Sequence, residues 1–160
     1  MLKAGVLVGC LGLVLLVGCG SGGGIYEGDV VIASQEDLER YDNYSEVTGS
    51  VKFTQSDTLE SFNWSALVTV QGDLWVWDNT KLTSFSLGSL TAVGGGVLIR
   101  ENDLLTSFNL NQLTQVGGNL GVAHNPVLPE CRAEGLMTSV GESNIGGSVD
   151  LTNNQGSGGC

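Results

Sequence analysis

Three groups of residues have the types and spacing to do chemistry. Asp78, Glu101 and His124 recur at intervals of 23 residues. Carboxylates beside an imidazole are the material of general acid–base catalysis, and carboxylates alone can hold calcium. Asp57 and Asp103 fall close to the same series. The second group is Trp75 and Trp77, separated by one residue. Lys52 and Leu98 lie 23 residues either side of Trp75, and Arg100 lies 23 beyond Trp77. Two indoles flanked by cations suit contact with a sugar ring or a protein partner. The third group is the four cysteines, Cys10, Cys19, Cys131 and Cys160.

Other chemistry is missing its parts. No Gly-x-Ser-x-Gly elbow exists, and the single His has no evident serine to activate. Zinc needs more ligands than one His and two mature cysteines supply. Gly94-Gly95 and Gly117-Gly118 precede strand patterns rather than helices, so they read as turns and not as phosphate loops. The acidic column reads first as a set of solvated turn residues, because every turn column of a repeat protein stacks in the same way. No cofactor or metal is implied.

The elements that position these residues repeat. Val47, Val70, Val93 and Val116 keep a 23-residue step, as do Gly49, Gly72, Gly95 and Gly118. Further columns are Leu59, Leu82, Leu105 and Leu128; Phe62, Phe85 and Phe108; Leu67, Leu90, Leu113 and Leu136; and Asn79, Asn102 and Asn125. A period held in so many columns belongs to a stacked-coil protein whose single coil cannot bury its own apolar face.

Each coil has two apolar segments. In Gly72 to Asn79, apolar and outward residues alternate, which is strand chemistry. Leu74 and Val76 share columns with Val51, Val97, Leu120 and with Phe53, Ile99, Val122, so they point inward. Trp75 and Trp77 then point outward, with Lys52, Leu98 and Gly121 in one column and Thr54, Arg100 and Ala123 in the other. The second segment places Leu82, Phe85 and Leu87 inward, and Leu90 and Val93 close the coil. Trp64 shares the column of Leu87 and Leu110 and is expected in the core. Asn79, Asn102 and Asn125 are expected at a turn, adopting the left-handed conformation and forming a ladder, with Ser56 in the first coil.

The ends differ. Ser34 to Asp37 has the form of a capping box, and Leu38 and Tyr41 share one face of a short helix that would cover the open start of the stack. After Leu128, Cys131 stands where phenylalanine is due. Arg132 to Val140 reads as a short helix with Leu136 inward, and Ile145 to Asn153 as a last strand with Val149 and Leu151 inward. The expected fold is mostly all-β: a short right-handed parallel β-helix of about five 23-residue coils. It carries a short N-terminal capping helix and a short helix near the C-terminus.

The N-terminus reads as an address. Met1 to Lys3 is a positive start, and Ala4 to Gly18 is an apolar run of 15 residues, the length of a signal core and short for a membrane span. Leu16-Val17-Gly18-Cys19 resembles the lipobox of bacterial lipoproteins. The resemblance implies that residues 1–18 are a signal peptide and that Cys19 becomes the first mature residue and carries lipid. It also implies that Gly20, where an Asp would retain the protein at the inner membrane, directs it to the outer membrane or cell surface. Residues 19–24 form the lipidated cysteine and a Gly/Ser tether, and residues 25–160 the folded domain. Cys10 leaves with the signal. Cys131 and Cys160 then remain as a pair in an exported protein, where a disulfide is expected.

Charge bounds the partners. The chain carries 17 Asp and Glu against 6 Lys and Arg. Such a balance argues against nucleic acid and against electrostatic docking on anionic lipid.

The repeat Leu-Thr-Ser-Phe…Leu…Val-Gly-Gly-x-Leu-x-Val-x-x-Asn resembles the receptor L-domain, the leucine-rich β-helix of growth-factor receptor ectodomains. The Asn-Pro-x-Leu-Pro-x-Cys segment at Asn125 to Cys131 and the terminal Cys160 are similar to those of bacterial lipoproteins, myxobacterial in type, that carry such a domain alone. The resemblance covers Gly28 to Cys160 and implies an exposed binding or adhesion module. Kinase, cysteine-rich module and transmembrane helix are lacking, so receptor signalling is not implied. The expected function is a lipid-anchored surface binding or adhesion module without catalytic activity. Its ligand, a protein or a glycan, would contact Trp75, Trp77, Leu98, Lys52 and Arg100. A purely structural envelope lipoprotein is the first alternative and a polysaccharide-active β-helix enzyme the second.

Overall fold

The computed structural model describes residues 23–160. The signal segment, Cys10 and the lipobox with Cys19 lie outside the described residues.

An opening partial coil consists of β1 (Gly24–Tyr26), β2 (Val30–Ile32) and α1 (Gln35–Glu39). The first full coil is β3 (Tyr44–Val47), β4 (Val51–Thr54) and β5 (Ser61–Asn63). The second is β6 (Thr69–Val70), β7 (Leu74–Trp77) and β8 (Ser84–Ser86), and the third is β9 (Ala92–Val93), β10 (Val97–Arg100) and β11 (Ser107–Asn109). The fourth has β12 (Gln115–Val116) and β13 (Leu120–Ala123), and then α2 (Glu130–Val140) in place of a third strand. A 3-10 turn at Glu142–Asn144 leads to β14 (Val149–Asp150). All pairings are parallel and run coil to coil, in sheets ordered β1-β3-β6-β9-β12, β14-β13-β10-β7-β4-β2 and β11-β8-β5. The chain is therefore a mostly-β parallel solenoid of about four turns, with a partial coil at each end and two helices.

The structure has three β faces per coil where the sequence shows two apolar segments. The extra face is made by β6, β9 and β12, each two residues long with one inward side chain, Val70, Val93 or Val116. Two residues cannot display an alternation, so no strand period marks them. The fold also begins slightly before residue 25, because β1 starts at Gly24 and the Gly23 carbonyl accepts the Ser45 hydroxyl at 2.5 Å.

The inward columns form one core. Val51, Leu74, Leu120, Phe53, Val76 and Ile99 are all fully buried. Phe62, Phe85 and Phe108 stack with ring centroids 5.0 and 5.7 Å apart, and Phe53 joins the stack at 3.9 Å from Phe62. Trp64 is fully buried, as its column requires, and its indole Nε1 donates to the Tyr44 carbonyl at 3.0 Å. A buried indole without that partner would leave a donor unsatisfied.

The asparagine ladder forms, but its backbone differs from expectation. Asn79, Asn102 and Asn125 are fully buried. Each side-chain Oδ1 accepts the backbone amide of the residue one coil earlier: Asn79 takes Ser56, Asn102 takes Asn79 and Asn125 takes Asn102, at 3.1–3.2 Å. Each Nδ2 donates back across the corner, to the carbonyls of Phe53, Val76 and Ile99 at 2.8–3.0 Å. Ser56 starts the ladder and Asn154 ends it, accepting from the Asn125 amide at 3.3 Å. The left-handed residues are not these asparagines but the ones just before them: Gln55, Asp78, Glu101, His124 and Asn153, with φ of 55–62°. The turn is made one residue early so that the Asn side chain can aim inward at corner backbone, which a solvent-facing turn residue could not reach.

The opposite corner is a glycine column held by close approach. A Cβ on Gly72 would sit 2.7 Å from the Gly49 carbonyl carbon, and one on Gly118 would sit 2.8 Å from the Gly96 nitrogen. Neither position has a positive φ, so these glycines are required by stacking distance rather than by backbone conformation.

Both ends close as their sequences suggest, with one exception. Ser34 accepts the Asp37 amide at 3.2 Å, and Asp37 reaches back to the Ala33 amide and the Ser34 hydroxyl. Leu38 is buried over the first coil. In α2, Ala133, Leu136 and Val140 are buried. Val149 pairs with Leu120 in the inward column, yet it is 38% exposed. No coil follows it, and α2 spends its apolar face on the coil before, so the inward direction there opens to solvent. Cys131 and Cys160 are disulfide-bonded, with Cα atoms 6.2 Å apart, tying the last residue to the first turn of α2.

Candidate functional site

The outward side of β4, β7, β10 and β13 is a flat face, because the pleat sends every second side chain away from the core. The register places Lys52, Trp75, Leu98 and Gly121 in one column and Thr54, Trp77, Arg100 and Ala123 in the next. The five residues read from the sequence as a patch are therefore brought together. Trp75 and Trp77 are half-buried.

The charges of this face are engaged. The Lys52 ammonium lies 5.0 Å from the centroid of Trp75, a cation–π distance. The Arg100 Nη2 is 2.6 Å from Asp150 Oδ2. The indole Nε1 of Trp77 donates to Glu101 Oε2 at 2.9 Å. The face is thus aromatic with its cations paired, rather than a basic surface. Asp150 accepts the Thr152 hydroxyl at 2.7 Å and its amide at 3.1 Å. These two bonds hold the Asp150 carboxyl below the usual carboxylate range, and the Arg100 guanidinium adds to the lowering.

Alongside Trp75 the face is hollow. Two outward columns run side by side up the coils, Asp73–Gly96–Asn119–Ser148 and Trp75–Leu98–Gly121–Asp150. The glycines at 96 and 121 are diagonal neighbours, and where they lack side chains a groove of about 690 Å³ opens. Its rim is polar: Asp73 Oδ1 accepts the Gly96 amide at 2.7 Å, and Asn119 Oδ1 accepts the Ser148 amide at 2.8 Å. Asp73, Asn119 and Asp150 belong to this site and carry no repeat-level signal. Asp73 and Asn119 stand in a column whose residue type changes at every coil, and Asp150 follows an insertion that breaks the 23-residue step.

The acidic column does not converge. Asp78, Glu101 and His124 sit at the outer turn in the left-handed conformation. Glu101 turns to Trp77, and His124 meets Asn153 Nδ2 at 3.3 Å. Among the described residues no group of three or more His, Cys, Asp or Glu is placed to hold a metal ion.

The arrangement therefore offers a rigid aromatic surface and a polar-rimmed hollow, both on interior strands of a sheet. It can hold a molecule by apolar contact with the indole and by hydrogen bonding, and the carboxylates of Asp73 and Asp150 line it. No protein-family model matches the chain, and no curated protein matches it.

Proposed function

We propose that this chain is an exported, lipid-anchored binding or adhesion module without catalytic activity. Cys19 anchors it at the bacterial outer membrane or cell surface, and the outward face of β4, β7, β10 and β13 meets the ligand. The observation that carries the reading is the pair of half-buried tryptophans side by side on a flat sheet face, next to a groove of about 690 Å³. Interior strands hold the two indoles rigidly, which lowers the ordering cost of binding. The resemblance of the repeat to the receptor L-domain supports the same reading.

The anchor and the face are compatible. From Cys19 to Gly23 the chain spans four residue steps, about 14 Å when extended. The groove begins at Asp73, two coils beyond the opening coil to which the tether leads.

Two measurements test the proposal. Labelled palmitate should enter the full chain in a bacterial host, and Cys19→Ser should abolish labelling and release the protein from the membrane fraction. The lipidated chain in detergent should retain material from purified envelope protein or polysaccharide fractions. The Trp75→Ser/Trp77→Ser variant should lose that retention while keeping its melting temperature. Equal retention by both proteins would leave the structural-lipoprotein alternative.

A further inference from the structure

The groove at Gly96 and Gly121 has a chemistry of its own, and its open valences can be counted. Asp73 uses Oδ1 on the Gly96 amide, and its Oδ2 accepts from none of the described residues. Asn119 uses Oδ1 on Ser148, and its Nδ2 donates to none of them. Arg100 uses Nη2 on Asp150, and its Nε is buried without a partner. The Asp73 acceptor and the Asn119 donor, both on planar side chains, therefore edge one hollow, whereas the Arg100 Nε is shut away from it. The walls beside them are apolar, from Trp75 and Leu98.

That set discriminates among occupants. A polyanion needs an unpaired cation, but Arg100 is neutralised by Asp150 and Lys52 lies over Trp75. The net charge of −11 repels it further. A peptide adding a strand needs an open edge, and β7, β10 and β13 are each paired on both sides. An apolar peptide helix needs a wide apolar patch, and this one amounts to one indole and one leucine. An uncharged sugar ring has what the groove asks for. Its hydroxyls donate and accept at once, so they match a mixed set of planar partners. Its C–H face packs on indole.

The dimensions agree. The groove crosses four coils, from Asp73 to Ser148, which at about 4.8 Å per coil is about 14 Å, room for two or three linked pyranose rings. We propose that the hollow between Asp73, Trp75, Leu98, Arg100 and Asn119 is a binding subsite for an uncharged pyranose oligosaccharide, packed against the Trp75 indole where it lines the groove. This rests on the binding function proposed above and names its ligand class.

The test uses the lipidated chain in detergent, titrated with cellotetraose, chitotetraose, laminaritetraose, maltotetraose and mannotetraose, read by calorimetry and tryptophan fluorescence. At least one sugar should bind. Trp75→Ala should weaken it by about tenfold or more, whereas Leu104→Ala, exposed and outside the groove lining, should change it by less than about threefold. Gly121→Leu fills the hollow from an extended strand position. There a new Cβ would come within 3.1 Å of the flexible end of Leu98, which must give way to admit the side chain. This variant should also abolish binding while the melting temperature confirms the fold. Should Gly121→Leu misfold, Trp75→Ala on the surface decides alone. No binding by any of the five sugars, or binding unaffected by Trp75→Ala, overturns the proposal. If the sugars fail while the double tryptophan variant still loses envelope retention, the binding module stands with a protein ligand. If the chain retains nothing at all, both readings fall.

Discussion

Arg100 and Asp150 are joined at 2.6 Å although 50 residues separate them, and the bridge passes over Gly121. It connects the third full coil to the last strand across the one between. Gly121 pairs with Asp150 in the register, and a Cβ there would meet Leu98 and Val97 before either partner of the bridge. The same bridge removes the cation that would otherwise make the tryptophan face basic.

Asp150→Asn tests the bridge. Both side chains are about one-third exposed, 32% and 41%, so solvent screens the pair and its loss should cost no more than about 1 kcal/mol at neutral pH. The sign of the pH dependence follows from the lowered Asp150 pKa. A depressed folded-state pKa contributes stability that is present above the unfolded value of about 3.9 and is lost as pH falls through the folded value. Urea midpoints of the two proteins should therefore differ at pH 7 and converge as the pH falls past the unfolded value and through the lower folded one. A difference that widened in acid would contradict the assignment.

Asn102→Ala should cost much more. Asn102 accepts the amides of Asn79 and donates to the carbonyl of Val76 and to Asn125, all out of water. Removing it strands at least two buried backbone groups, at about 1–3 kcal/mol each. Equilibrium urea unfolding should show a loss of about 3 kcal/mol or more. Glu101→Ala, one residue earlier and exposed, should lose far less.

Trp64→Ala removes the largest fully buried side chain and the partner of the Tyr44 carbonyl. A loss of about 3–5 kcal/mol is expected from the cavity and the unmet acceptor. Trp75→Ala and Trp77→Ala should each leave stability within about 1 kcal/mol. Thermal unfolding of the three variants side by side checks this division between core and surface.

Cys131→Ser/Cys160→Ser opens a loop spanning a separation of 29 residues. Chain entropy puts the loss near 3–4 kcal/mol. Reductant should lower the melting temperature of the parent protein and leave that of the double variant unchanged. Hydrogen exchange should rise first around β14 and the tail, the part of the last coil that the bond ties to α2.

Much of this could be read without coordinates. The 23-residue step identified the inward columns, moved Trp64 into the core and put Trp75 and Trp77 outside, because in a parallel stack a residue's neighbour is its own copy one coil away. Lys52 over Trp75 and Leu98 beside it follow from that rule alone. The rule failed where the step changed. Asp150 and Asn154 lie 29 residues beyond Gly121 and Asn125, since α2 adds length to the last coil. Their partnerships with Arg100 and with the ladder are invisible to a fixed period. Residue type also misplaced the left-handed turn. Asn is the residue that best tolerates it, yet burying the Asn side chains as hydrogen-bonding partners of the corner backbone was worth more, and Asp, Glu and His took the turn instead.

The sequence by itself determined the parallel coil architecture and, along the repeated strands, which columns face the core, because local periodicity dictates both. Only the tertiary structure decided what those side chains do on arrival. Whether a charge is paired, whether two glycines in adjacent columns align into a hollow, and which polar atoms are left open depend on distances between coils and across an irregular insertion. No repeat unit carries that information alone.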